Sequence, residues 1–175
     1  SIDWSLVIIT SLLRKTGISD MYKYRVDVIK VIDGDTVDVD IDLGFGVWLK
    51  KERVRLYGID TPESRTRDLE EKKFGLLAKD FLQEALMGDK YDEVLLQTHK
   101  DEKGKFGRIL GEFIVVDNAG HPTFEVELNL NDMMIERKMA VAYYGQSKDD
   151  IEEGHLKNRE YLYENGTVEF EIAES

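Results

Sequence analysis

Thr36-Val37-Asp38-Val39-Asp40-Ile41-Asp42-Leu43 alternates apolar and acidic residues without a break, and Gly44-Phe45-Gly46 follows it. A side-chain period of two marks a strand with one buried and one wet face. Val37, Val39, Ile41 and Leu43 are therefore assigned to a core. Asp38, Asp40 and Asp42 project to one face without converging, which predicts a solvated face rather than a metal comb. The glycines supply a turn, and Val47 to Tyr57 returns as a further strand carrying Lys50, Lys51, Arg53 and Arg55. Upstream, Tyr22 to Ile32 alternates polar and β-branched residues and reaches Thr36 through Asp33-Gly34-Asp35, a turn by composition. Three successive antiparallel strands make a meander.

Downstream the period changes. Phe74, Leu77, Ala78, Phe81, Leu82, Ala85 and Leu86 recur at helical spacing, and Gly88 supplies the stop. Val94 to Thr98 and Arg108 to Val116 are predicted strands, separated by the charged loop Lys100 to Gly107. The turn Asp117-Asn118-Ala119-Gly120 leads to a hairpin return through Phe124, Val126 and Leu128. Asn131 is expected to cap a short helix with Met133, Met134 and Ile135. Asp149 to Glu164 is predicted as the last helix, with Ile151, Leu156 and Leu162 facing inward, before Asn165-Gly166 turns into a tail through Ile172. This order predicts an α+β fold: a five-stranded OB-fold barrel with about three helices.

A chain of 175 residues with 42% hydrophobic content fits one domain, assigned to residues 21–175. Residues 1–20 are read as an N-terminal extension, either an amphipathic helix or packing arm or a segment foreign to the native chain. Their apolar run, Leu6 to Leu13, is too short to span a bilayer, and the basic pair Arg14-Lys15 follows it rather than preceding it as in a signal peptide. Cysteine is absent and His99, His121 and His155 are scattered in sequence, so any metal is expected to be held by oxygen. A formal charge of −12 excludes a protein whose whole surface attracts polyanions. Such a ligand would need a local basic patch, here Lys50, Lys51, Arg53, Lys103, Lys105 and Arg108, or a bridging cation.

The end of the third strand reads Arg55-Leu56-Tyr57-Gly58-Ile59-Asp60-Thr61-Pro62-Glu63. A guanidinium and carboxylates around one proline-fixed turn can hold a hard cation against a phosphodiester. Taken singly, Asp35 is an ordinary turn residue, Arg55 and Arg108 are surface arginines, and Glu63 is a solvated acid. Placing Asp60 on a strand that adjoins Asp35 reverses this, because two carboxylates, a backbone carbonyl and waters make an oxygen site of calcium type.

Over Tyr24 to Tyr163 the chain resembles the staphylococcal nuclease family. The resemblance rests on Val31-Ile32-Asp33-Gly34-Asp35-Thr36, on Arg55 with Asp60-Thr61-Pro62-Glu63, on Gly75 and Ala78 in the helix, and on Phe106-Gly107-Arg108. Asn131, Ala140 and Tyr143-Tyr144 add a weaker echo. It implies that Asp35, Asp60 and the Thr61 carbonyl hold Ca2+, that Glu63 orients or deprotonates the attacking water, and that Arg55 and Arg108 clamp the phosphate. Asp33 matches an acid standing behind the ligands. Lys105 matches a contact to a terminal phosphate, and either Tyr143 or Tyr144 a base-stacking aromatic. Phe106 replaces the family's usual tyrosine, and Lys138 stands where a glycine is usual at a helix end.

The implied activity is Ca2+-dependent hydrolysis of DNA and RNA with little sequence preference, favouring single-stranded or frayed substrate and leaving 3′-phosphate products. The alternative is a catalytically weak or inactive nucleic-acid-binding module on the same barrel. A monomer with no membrane association is expected, and the resemblance is compatible with an extracellular protein.

Overall fold

The structure is a computed structural model, and it describes residues 22–99, 108–118, 120, 123 and 125–170. The N-terminal extension, Lys103, Lys105, Phe106, Phe124 and the end of the tail lie outside these residues.

The meander forms as its alternation predicts, from β1 (Lys23–Asp33), β2 (Thr36–Asp42) and β3 (Trp48–Leu56). In β2 every second residue is buried, and Val37 lies opposite Val54 of β3. β1 then pairs antiparallel with β5 (Glu93–Thr98), and β5 with β6 (Ile109–Asp117). β6 returns to run parallel to β3, with Val54 opposite Ile109, and this closes the five-stranded barrel. β7 (Val126–Asn129) extends the sheet beyond β6. A separate short pair, β4 (Ile59–Asp60) with β8 (Val141–Ala142), sits at the end of β3. The helices are α1 (Leu69–Met87), α2 (Leu130–Glu136) and α3 (Lys148–Glu164).

Val37, Val39, Ile41, Val54, Leu56 and Phe113 fill the barrel, and Ala78 and Leu82 of α1 pack on the same cluster. Each such side chain contributes about 1.5–3 kcal/mol on burial if aliphatic or aromatic and of this size. Asp68 caps α1 by accepting from the Glu70 and Glu71 N–H groups, and Gly88 ends it. Small residues let α1 press onto the loop that follows β4. A Cβ on Gly75 would lie 2.3 Å from the Glu63 carbonyl oxygen, and one on Gly34 would lie 2.8 Å from Ala78 Cβ.

Four expectations are corrected. Leu43 lies beyond the end of β2 and is exposed. Asp38 and Asp40 are paired across the hairpin rather than merely solvated: Arg53 grips both oxygens of Asp38 at 2.9 and 3.1 Å, and Lys50 Nζ meets Asp40 at 3.3 Å. Lys50 and Arg53 are thereby paired, which weakens the patch expected there. Asn129, not Asn131, caps α2, accepting from the Asp132 N–H. Asn131 is buried instead, its amide accepting from Phe113 N–H at 3.2 Å and donating to the Tyr57 and Gly111 carbonyls at 2.9 and 3.2 Å. In α3, Leu156 is exposed, and the inward face carries Leu162 with His155, Asn158 and Arg159 beside it. No helix among the described residues is long and apolar enough to cross a membrane.

Candidate active site

Strand register decides which acids meet. Thr36 lies opposite Arg55, so the Asp33–Asp35 turn sits beside the end of β3, and the Leu56 N–H donates to the Asp35 carbonyl at 2.8 Å. From there Arg55 reaches both candidate ligands, with Nη1 3.2 Å from Asp35 Oδ2 and Nη2 3.5 Å from Asp60 Oδ1. The Thr61 N–H donates to Asp35 Oδ2 at 3.2 Å, and the Thr36 hydroxyl to Asp35 Oδ1 at 3.1 Å. Turn, strand end and loop are thus tied through one carboxylate.

Burial raises the Asp35 pKa above the usual carboxylate value, outweighing the opposite pull of Arg55 and the Thr61 N–H, while the charges of Asp33 and Asp60 add to the rise. Glu63, exposed as a residue, is pushed up to about 7 by partial burial of its carboxyl, then by the charge of Asp33 and a hydrogen bond with it, and by the charges of Asp35 and Glu71. Asp33 also holds the loop in place, its Oδ1 accepting from Gly34 N–H at 3.0 Å and Ser64 N–H at 3.3 Å. The site is therefore rich in negative charge, with Arg55 as the guanidinium that contacts Asp35 and Asp60.

This donor chemistry fits a hard cation. Among the described residues no three His, Asp or Glu side chains gather as a ligand group, so the protein's share would be the Asp35 and Asp60 carboxylates and the Thr61 carbonyl, with water completing the shell. Oxygen donors with no sulfur favour a hard divalent cation over zinc. The raised Asp35 pKa points the same way, because a divalent charge would offset the cost of burying that carboxylate.

Arg108 immediately precedes β6, whose first pair with β3 is Ile109–Val54, so it stands beside the Arg53–Val54 stretch. Tyr143 and Tyr144 are both exposed rather than core, at 46% and 81%. The Tyr143 N–H donates to the Gly58 carbonyl at 2.8 Å, which ties that residue to the β3–β4 turn, whereas Tyr144 bonds to Gln146. Lys138 adopts φ +62°, the left-handed conformation that glycine takes without strain.

Sequence reasoning missed His155. Its Nε2 lies 2.6 Å from Asp60 Oδ2 although the residues are 95 positions apart. The signal was present in α3, where Ile151, His155, Asn158 and Leu162 form one stripe at helical spacing. Leu156, apolar but one position off that stripe, is exposed.

Comparison with known proteins agrees with the motif pattern. The model of a family described as staphylococcal nuclease homologue matches residues 53–162. The thermonuclease of Staphylococcus hyicus is 35% identical over 97 residues, covering 55% of this chain and 52% of that protein. The micrococcal nuclease of Shigella flexneri is 31% identical over 129 residues, covering 72% and 63%. Protein ParB of Escherichia coli is 34% identical over 128 residues, covering 71% and 62%. The chain thus spans between half and two thirds of the length of these relatives. With the closed barrel and the ordered acids and arginines, these matches establish that the chain belongs to the staphylococcal nuclease family.

Proposed function

We propose that this protein is a Ca2+-dependent phosphodiesterase that hydrolyses DNA and RNA with little sequence preference, cleaving the 5′ P–O bond and leaving 3′-phosphate ends. The observation that carries the proposal is the contact of one guanidinium, Arg55, with two carboxylates, Asp35 from the β1–β2 turn and Asp60 from β4. Relatives named as nucleases support it.

Asp35, Asp60 and the Thr61 carbonyl would hold the cation. When bound, calcium supplies Lewis-acid polarisation of the phosphate. Glu63, held beside Asp33 and Asp35 on the loop that carries Thr61, would take the proton from the attacking water. As the water oxygen bonds to phosphorus, the bond to the 5′ oxygen breaks and that oxygen takes up a proton. Arg55 and Arg108 meet the charge gathering on the equatorial oxygens, and their planar forks suit that arrangement better than an ammonium would. Lys105 would contact a terminal phosphate, and Tyr143 or Tyr144 would stack on a base of single-stranded or frayed substrate. Residues 21–175 would act as one monomeric domain, preceded by residues 1–20 as an extension, without membrane association.

The direct test is incubation with single-stranded DNA and Ca2+ followed by chelator. Cleavage that stops on chelation is expected. Cleavage that persists, or none with calcium, overturns the proposal.

A further inference from the structure

The Asp60 carboxylate is held from both sides. Arg55 Nη2 approaches Oδ1 at 3.5 Å, and His155 Nε2 lies 2.6 Å from Oδ2. An ionised carboxylate only accepts, so the Nε2–H of His155 donates. His155 arrives from α3 through a chain of close fits. Val141 of β8 lies directly opposite Asp60 of β4. A Cβ on Gly154 would lie 2.9 Å from Val141 Cγ1, so the absence of a side chain there lets α3 seat on β8. Asn158, one turn further along, donates to the Ala140 carbonyl at 3.1 Å. The residue beside Gly154 is thereby brought onto the partner strand's carboxylate. The His155 ring is only 13% exposed, and its Nδ1 is buried with no hydrogen-bond partner.

A buried ring nitrogen without a partner is costly. Packing alone would be served as well by leucine, which leaves the Asp60 contact as the feature that needs a histidine. We infer that His155 is a positioning residue: by occupying Asp60 Oδ2 it fixes the carboxylate's rotation and leaves Oδ1, on the Arg55 side, to face the cation.

The assignment rests on the calcium site proposed above, and the experiment separates the two. Ca2+ affinity is measured by isothermal titration calorimetry on wild-type protein, His155→Leu and His155→Gln, with circular dichroism to verify folding. Glutamine places an amide N–H near the position of Nε2. His155→Leu is expected to bind Ca2+ 10–100-fold more weakly, the usual effect of removing a partner that orients a metal ligand, and His155→Gln to recover most of that loss. Should His155→Leu fail to fold, His155→Asn, whose amide stops one carbon short of Asp60, takes its place with the same expectation. Wild-type affinity in the leucine or asparagine variant overturns the positioning role and leaves the calcium site standing. Equal weakening in the glutamine variant also overturns it, because the ring's fit in α3 would then be what matters. Wild-type protein that takes up no Ca2+ overturns the calcium site and the assignment together.

Discussion

Arg55 shows how much a single side chain can depend on its neighbours. In sequence it is a common surface arginine, yet in the fold it bridges two carboxylates. Replacing Arg55 or Arg108 with lysine keeps the charge but loses the planar fork, and kcat on single-stranded DNA with Ca2+ should fall by about 100- to 1,000-fold. Unchanged kcat in both variants would remove the phosphate clamp from the mechanism. Glu63 gives a second test, made in chelator. Its pKa in the fold is about 7 against an ordinary 4.5, so between these values the folded protein holds a proton that the unfolded chain has released. Stability should therefore decline as pH rises through that window. Thermal melts from pH 4.5 to 8 should show this slope in wild type and a flatter one in Glu63→Gln.

Among the elements, α1 is the one whose composition explains the site's shape. Its Gly75 faces the Glu63 carbonyl at a distance no Cβ could tolerate. Gly75→Ala should push the Asp60–Ser64 loop off the helix and cost roughly 1–3 kcal/mol, read as a lower urea midpoint with unchanged slope, and kcat should fall as well. Periodicity made this helix and the three meander strands legible, and the turns around Asp35 and Asp60 could be placed because they end those strands. What stayed hidden depends on tertiary choice. Asn131 has the composition of a cap, but the barrel needed an amide to join Phe113, Tyr57 and Gly111, so Asn129 took the cap. Opposite charges on β2 and β3 were visible in sequence, but only the register shows that Arg53 faces Asp38. His155 stays hidden because it reaches Asp60 only through the two-residue pairing of β4 with β8, on which α3 seats and which no periodicity can announce.

For the whole molecule, charge sets the terms of encounter. The net charge of −12 and the pairing of Lys50 and Arg53 with Asp40 and Asp38 leave little free positive potential on the β2–β3 hairpin. In chelator at moderate salt, fluorescence anisotropy should detect no complex with single-stranded DNA below about 100 µM, the weak end of non-specific binding. A low-micromolar, metal-independent complex would contradict this. The closure of the barrel and the bond from α3 to Asp60 also order events in time. Asp60 meets its histidine across 95 residues, and β3 pairs with β6 only after α1 and β5 have been made. Contacts of such span slow the folding of a chain that depends on them. On the activity proposed above, a chain still being synthesised would carry Asp35, Arg55 and Asp60 before His155 exists, and Asp60 would lack that partner until α3 has emerged.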